Sequence, residues 1–265
     1  MSTAAVRRMT HALAGAMFLA AMFLGLSARA EDQRIELQTR PGVTDAFLVT
    51  APPGQPFASM ILFTGGPGIL AKRMQNFLIR SRGTFAAAGF LVASIDAPSD
   101  HPTGYDAVFR GSAEQARDVA GVIAWLRQKA AVPVWLVGTS TGTISAANAA
   151  ARLKGSAGGD GLVMTSSFVP ATSPPPSIPS LVDVGSITLP TLFVHNRNDA
   201  CETSQFQNVM PLMEHFTHAA PKELIVVAGG SPPQSGPCDP FARHGYFGIE
   251  DEVVGEIVRW IKSRK

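Results

Sequence analysis

Short runs of apolar residues alternate along the chain with longer segments that carry apolar residues on one face. Eight of these runs are β-prone stretches of a few residues, as expected for buried strands. They predict strands at residues 35–38, 46–50, 60–64, 90–95, 132–137, 161–164, 191–195 and 224–228.

Four segments have the apolar spacing of helices that cover a core. In residues 112–129, Ala116, Val119, Ile123 and Leu126 share one face, while charged residues occupy the other. The other predicted helices are residues 77–88, 143–153 and 250–262. Alternating strands and helices indicate an α/β fold with a mostly parallel central sheet and helices on both faces. Since no internal repeat or linker is evident, we expect residues 31–265 to form a single domain.

Residues 1–30 have the three parts of a signal peptide. An arginine pair at positions 7–8 is followed by an apolar run at 13–26, and Ala28-Arg29-Ala30 provides an A-x-A cleavage site. We expect cleavage after Ala30 and export to the periplasm or secretion. The apolar run is shorter than the roughly 20 residues of a membrane span, so no stable membrane insertion is expected after cleavage. An uncleaved anchor is the alternative.

Composition and charge narrow the choice of partners. Hydrophobic residues make up 46% of the chain and charged residues 16%, as in an ordinary globular protein. The formal net charge is +2, but residues 1–30 hold three arginines and no acidic residue, so the remainder carries −1. A nearly neutral chain gives no reason to expect nucleic acid as a partner.

The predicted strand at residues 132–137 runs into Gly138-Thr139-Ser140-Thr141-Gly142, and a predicted helix follows. This G-x-S-x-G pattern is typical of a nucleophile elbow, a strained turn that exposes its central serine. Bulky side chains two positions from the serine would clash with the strand or the helix, so glycine suits both places. Ser140 is therefore the candidate nucleophile. A glycine-rich turn without a catalytic role is the alternative.

A nucleophilic serine needs a base and an acid that orients the base. Two residues that lie later in the chain than Ser140 could take these roles and complete a catalytic triad. Asp199 lies just beyond the predicted strand at 191–195, on the edge where open α/β sheets place their chemistry. His244 follows the last predicted strand and precedes the last helix. The order serine, aspartate, histidine is the one expected with a nucleophile elbow.

With these residues in this order, the chain resembles the α/β-hydrolase family of serine hydrolases over nearly all of residues 31–265. The resemblance implies the α/β-hydrolase fold, with Ser140 as nucleophile, Asp199 as acid and His244 as base. It also implies an oxyanion hole formed by the backbone N–H groups of Thr141 and Gly66. The loop at residues 64–68, Thr-Gly-Gly-Pro-Gly, is similar to the family's His-Gly-Gly-Pro-Gly loop, with threonine in place of histidine.

Other residues compete for the roles of acid and base. Asp183 is an alternative acid, while His195 ends a predicted strand and His101 lies in a predicted loop. His215 and His218 are three positions apart on a predicted helix and resemble a metal pair. No carboxylate or cysteine stands near them at ligand spacing, so we expect solvated surface histidines there. Neither a metal nor another cofactor is expected.

The two cysteines lie close in sequence to the expected acid and base. Cys201 follows Asp199 by two residues, and Cys238 precedes His244 by six. If the triad forms, the two loops are neighbours, and an exported protein lives where disulfides persist. We therefore expect a Cys201–Cys238 disulfide, with two free buried thiols as the alternative.

These features predict a serine hydrolase that cleaves small carboxylic esters through an acyl-enzyme intermediate. The interval in which family members usually insert a lid holds only the proline-rich residues 169–179, so we expect an open site without a large cap domain. A peptidase or amidase of the same fold is one alternative, although those usually carry a helical cap and acidic residues for the substrate amine. A non-catalytic binding protein that keeps the fold is the other.

Overall fold

The computed structural model describes residues 32–171 and 176–264. The expected signal peptide at residues 1–30 and part of the proline-rich segment lie outside the described residues. No helix within the described ranges is both long and apolar enough to cross a lipid bilayer.

Eight strands of the described chain form one sheet in the order β1-β2-β4-β3-β5-β6-β7-β8. Strand β2 pairs antiparallel with β1 and β4, and the pairs from β4 and β3 through to β8 are all parallel. All eight predicted strands are present. Their bounds are Asp32–Arg40 (β1), Val43–Thr50 (β2), Ala58–Phe63 (β3), Phe90–Ile95 (β4), Val134–Ser140 (β5), Gly161–Ser167 (β6), Thr191–Asn196 (β7) and Lys222–Val227 (β8).

The predicted helices are present with one change: residues 77–88 form two short helices that meet at Ser81. Three further short helices, α3, α6 and α7, occur where the sequence pattern had indicated no helix with defined bounds. The bounds are Phe77–Arg80 (α1), Arg82–Ala87 (α2), Ala107–Arg110 (α3), Ala113–Lys129 (α4), Gly142–Arg152 (α5), Ile178–Leu181 (α6), Val209–Glu214 (α7) and Glu250–Lys262 (α8).

Helices cover both faces of the sheet, and neighbouring residues of each parallel strand point into different cores. Ile61 and Phe63 of β3 pack with α4 and α5, while Met60 and Leu62 pack with α1, α2 and α8. Burial on both faces explains why the parallel strands read as continuous apolar runs rather than as alternating patterns. Because β3 to β8 run parallel to one another, their carboxyl ends lie at one edge of the sheet, where Ser140 ends β5.

The chain between β6 and β7, as far as the structure describes it, adds only short elements to that edge. The described residues of this interval contain the four-residue helix α6 and a single 3-10 turn at Val184–Ser186, and they form no cap domain.

Candidate active site

Ser140 occupies the sharp turn between β5 and α5 that the glycine spacing predicted. Its φ of 54° lies in the left-handed region, which costs a non-glycine residue of order 1–3 kcal/mol and persists only where the surroundings enforce it. A Cβ atom on Gly142 would overlap the carbonyl oxygen of Phe63 in β3, and one on Gly138 would lie 2.6 Å from the carbonyl oxygen of Gly142. The two glycines therefore let strand and helix meet closely enough to force the turn.

Thr143 holds the turn in place, although no sequence motif indicated this role. Its hydroxyl donates a hydrogen bond to the carbonyl oxygen of Ser140 (2.5 Å) and accepts one from the backbone N–H of Phe168 (3.1 Å). The elbow is thus tied to the chain that leaves β6. No pattern around Thr143 marks this role, because its second partner is 25 positions away.

Asp199 and His244 come together beside the same edge. Nδ1 of His244 lies 2.9 Å from Oδ2 of Asp199, and their side chains are 7% and 0% exposed. The other carboxylate oxygen, Oδ1, accepts a hydrogen bond from the backbone N–H of Cys201 (2.9 Å). Both oxygens of Asp199 are therefore engaged, which holds its carboxylate in one orientation against the imidazole.

Ser140 and His244 line one small cleft, together with Gly65, Gly66 and Arg73. Among the described residues, no hydrogen bond joins the Ser140 hydroxyl to His244. In unliganded sites such bonds are often long, and they shorten when substrate binds. The structure thus places Ser140 and His244 on one cleft and joins His244 to the third predicted residue, Asp199, through a hydrogen bond.

The loop after β3 passes directly over the serine. A Cβ atom on Gly65 would lie 2.8 Å from Cβ of Ser140, so only glycine lets the backbone approach the nucleophile this closely. The hydroxyl of Thr64, where the resembling family has histidine, is buried without a hydrogen-bond partner in the described chain. Thr64 therefore does not anchor the loop through its side chain.

Arg110 anchors that loop instead, a role that the sequence analysis did not assign. It is fully buried, donates from Nη2 to the carbonyl oxygen of Gly66 (2.8 Å) and from Nη1 to the hydroxyl of Ser145 (2.9 Å). The guanidinium also stacks 4.4 Å from the centre of the Tyr105 ring. Burial lowers the pKa of Arg110, since no carboxylate bonds to it.

A second buried network holds the histidine loop. The hydroxyl of Tyr246 donates to the carbonyl oxygen of Val194 (2.7 Å) and accepts from the backbone N–H of Ser166 (3.0 Å). The hydroxyl of Ser166 in turn donates to the carbonyl oxygen of His244 (2.8 Å). The ends of β6 and β7 therefore fix the position of His244, through residues that no sequence motif had marked.

The competing residues lie elsewhere. Asp183 is exposed just before the 3-10 turn Val184–Ser186 and has no contact with His244. His195, buried at the end of β7, accepts a hydrogen bond from the backbone N–H of Ser167 (2.7 Å). Burial and the neighbouring His244 lower the pKa of His195 to about 3, so it stays neutral. His101 pairs with the exposed Asp100 at 3.0 Å.

The expectation that His215 and His218 share a helix was wrong. Helix α7 ends at Glu214, His215 caps it, and His218 lies in the following turn, where Nδ1 contacts the carbonyl oxygen of Gly185 at 2.6 Å. Within the described residues, no group of three or more His, Cys, Asp or Glu side chains is arranged to hold a metal ion.

A disulfide joins the two cysteines that flank the acid and the base. The Sγ atoms of Cys201 and Cys238 are 2.06 Å apart, and the bridge closes a span of 37 residues. Cys201 is buried beside Asp199, while Cys238 lines the cleft that Ser140 and His244 share. The pairing that the sequence analysis expected is therefore the one in the structure, and it ties together the loops of Asp199 and His244.

The fold is similar to those of solved serine hydrolases. No protein-family model and no curated protein sequence matches the chain. A structure of an α/β serine hydrolase homologue from Coxiella burnetii is 20% identical over 86% of this chain and 97% of that one, with a TM-score of 0.61. An α/β serine hydrolase without a lid from Xanthomonas campestris is 18% identical over 87% and 95%, with a TM-score of 0.62. A Pyrococcus furiosus esterase is 14% identical over 88% and 91%, with a TM-score of 0.63.

At these identities the likeness establishes the fold. The eight-stranded, mostly parallel sheet with helices on both faces is an α/β-hydrolase fold, and the described residues carry no large cap domain. The predicted fold class is therefore confirmed.

Proposed function

We propose that this protein is a serine hydrolase that cleaves carboxylic esters through a Ser140, His244, Asp199 triad. The observation that carries the proposal is the buried His244–Asp199 hydrogen bond of 2.9 Å, which lies beside the one serine of the cleft held at positive φ. A strained serine next to an oriented histidine is the arrangement that activates a weak hydroxyl nucleophile. The names of the similar structures, serine hydrolases and an esterase, point the same way.

The chemistry follows from the positions of the groups. His244 takes the proton of the Ser140 hydroxyl as Oγ attacks the ester carbonyl carbon, and the carbonyl π electrons move to oxygen. The tetrahedral intermediate collapses, the C–O bond to the alcohol breaks, and His244 gives its proton to the leaving alcohol. Water then repeats the sequence on the acyl-enzyme and releases the acid. Asp199 stays ionised and stabilises the imidazolium that forms in each half-reaction.

The oxyanion is proposed to bind the backbone N–H groups of Thr141 and Gly66. Thr141 stands at the first turn of α5, where the helix dipole favours negative charge. Gly66 belongs to the loop that Arg110 anchors through a buried hydrogen bond to the Gly66 carbonyl oxygen. Donors that are fixed before the reaction stabilise developing charge without reorganisation, and each is worth roughly 10²–10³ in turnover.

Two features favour esters over peptides. The described residues between β6 and β7 form no cap that would enclose a peptide terminus. None of the described residues that line the cleft is aspartate or glutamate, so no carboxylate faces a substrate amine. An ester also needs less help with its leaving group than an amide does.

The function is tested with matched 4-nitrophenyl butyrate and butyryl 4-nitroanilide, the wild-type protein and Ser140→Ala. We expect ester turnover by the wild type, at least 100-fold slower amide turnover, and no ester turnover above background with the variant. A faster amide reaction would favour the peptidase alternative. Equal ester rates in the two proteins would contradict the mechanism.

We also propose that the protein is exported and that residues 1–30 are removed. The disulfide supports this, because such bonds persist in oxidising compartments. Mass spectrometry of the protein recovered from a bacterial periplasm or culture medium should show a chain that begins at Glu31. A chain that retains the first 30 residues would support an anchor.

A further inference from the structure

Arg73 forms part of the cleft wall that faces Ser140 and His244, and the proposed mechanism gives it no task. It follows the 3-10 turn Leu70–Lys72, and its guanidinium packs against Gly66, where a longer residue would have its side chain. A Cβ atom on Gly66 would overlap the guanidinium. The loop that is proposed to bind the oxyanion and the side chain of Arg73 therefore form one continuous surface.

The guanidinium of Arg73 has no anionic partner. Within the described residues it makes no ion pair, and its Nε atom is buried without a hydrogen-bond acceptor. Arg80, on the helix that follows, makes the contrast clear, since it bonds to Glu250 at 2.7 Å and to the carbonyl oxygen of Gly245 at 2.6 Å. The two Nη atoms of Arg73 also make no hydrogen bond within the described residues, and they are not buried, so their N–H donors are free for an acceptor that a ligand supplies.

The walls of the cleft leave this charge uncompensated. No aspartate or glutamate is among the described residues that line it. The nearby Asp199 is already engaged by His244 and by the N–H of Cys201. Gly66 also contacts a second guanidinium, since its carbonyl oxygen accepts a hydrogen bond from Arg110, for which the described chain likewise provides no carboxylate partner. Two such groups in contact with one glycine make this end of the cleft attractive to anions.

We propose that Arg73 selects esters that carry a carboxylate close to the scissile bond, an inference that rests on the proposed esterase function. A guanidinium offers a planar pair of N–H donors that matches the two oxygens of a carboxylate. Because Arg73 borders Gly66 and lines the same cleft as Ser140, the carboxylate must lie within a few bonds of the reacting carbonyl. Monoesters of short dicarboxylic acids and esters of short hydroxy acids have this chemistry.

The test compares charged esters with neutral esters of the same shape. For the acyl side, the pair is 4-nitrophenyl hemiglutarate and 4-nitrophenyl pentanoate; for the alcohol side, it is butanoyloxyacetate and butanoyloxyacetamide. For each pair, the measured quantity is kcat/KM for the charged ester divided by kcat/KM for the neutral ester. We expect Arg73→Gln to lower this ratio roughly 10- to 100-fold in one of the two pairs, mainly because KM for the charged ester rises. The pair whose ratio falls shows whether the carboxylate belongs to the acyl side or to the alcohol side of the ester.

The neighbouring Lys72→Gln is the matched control, because it removes one positive charge from the same turn but is exposed and does not line the cleft. Its ratio should stay within about twofold of the wild-type ratio. An unchanged ratio in Arg73→Gln would overturn the proposal. So would an equal loss on charged and neutral esters, which would instead indicate that Arg73 acts on the oxyanion or on the loop.

A binding measurement separates this proposal from the proposed function. Glutarate is titrated calorimetrically into Ser140→Ala protein, which needs no turnover. We expect saturable binding that weakens at least tenfold in the Ser140→Ala, Arg73→Gln double variant and stays unchanged with Lys72→Gln. If glutarate binds but the wild type hydrolyses no ester, the proposed esterase function is wrong and the anion site is retained. Hydrolysis of neutral esters without glutarate binding would keep the function and overturn the role of Arg73.

Discussion

His244 and Asp199 lie 45 positions apart in the chain, yet Nδ1 of the imidazole is 2.9 Å from Oδ2 of the carboxylate in a nearly dry environment. An ionised carboxylate only accepts hydrogen bonds, so the ring carries its hydrogen on Nδ1 and leaves Nε2 as the basic nitrogen. The pair therefore selects the tautomer that a general base for Ser140 requires.

Replacing Asp199 with asparagine keeps the shape of the side chain. It places an amide group where the carboxylate accepted the hydrogen bond of His244. We expect kcat for ester hydrolysis to fall roughly 10³- to 10⁴-fold with little change in KM, because the imidazole would favour the wrong tautomer. Steady-state kinetics at pH 8 measure the effect. Asp183→Asn, which changes the exposed competing acid, serves as the control and should retain the wild-type kcat. A large loss in that control with none in Asp199→Asn would reverse the assignment.

The disulfide is expected to stabilise the folded chain. Replacing Cys201 and Cys238 together with serine should lower the free energy of unfolding by about 3–4 kcal/mol, because the bridge restricts a 37-residue span of the unfolded chain. Urea unfolding of the oxidised protein and the double variant measures the difference. Since the bridge also ties the loop of Asp199 to that of His244, kcat should fall as well under conditions in which the variant is folded. Equal stability of the two proteins would contradict this role.

Tyr246→Phe should destabilise the protein although it removes only one oxygen atom. The change leaves the carbonyl oxygen of Val194 and the N–H of Ser166 without their partner in a fully buried place. We expect a loss of about 1–3 kcal/mol in the free energy of unfolding, as is usual for buried polar groups left unpaired. A midpoint of urea unfolding equal to that of the wild type would show that the network contributes nothing.

His195 should make stability depend on pH in the acid range. Burial, and secondarily His244, lower its pKa to about 3 in the folded protein, whereas an unfolded histidine titrates near 6.5. The unfolded state thus binds a proton below about pH 6.5 that the folded state does not, so stability present at pH 7 is lost as the pH falls. We expect about 2–3 kcal/mol less stability at pH 4.5 from this residue alone.

The measurement for that prediction is urea unfolding at both pH values for the wild type and His195→Gln. Glutamine does not titrate but can still accept from the N–H of Ser167. The variant should therefore lose this part of the pH dependence, whatever its absolute stability. Identical pH dependence in the two proteins would mean that His195 does not titrate as described.

The sequence predicted the features that depend on local pattern or on chain order. Apolar runs marked the central strands β3 to β7, because strands buried on both faces need apolar side chains at most positions. The spacing of Gly138 and Gly142 around Ser140 was readable because their lack of side chains is itself what the turn requires. The helix expected at residues 77–88 divides at Ser81, a detail of packing that apolar spacing does not encode.

The supports of the site were not predictable in this way. Arg110 reaches Gly66 across 44 positions, and Tyr246 reaches Ser166 across 80. Each contact depends on how two distant segments pack, and a single arginine or tyrosine in a short helix or turn leaves no periodic signal. The same holds for Arg73, whose importance lies in the missing partner rather than in any motif.

The most direct test of the proposed nucleophile is labelling with a fluorophosphonate probe, followed by peptide mass spectrometry. The folded wild-type protein should carry one phosphonyl adduct, on Ser140, because only this serine is held in the elbow beside His244. Urea-unfolded protein and folded Ser140→Ala should carry none. An unlabelled folded wild type, or an adduct on any residue other than Ser140, would contradict the account.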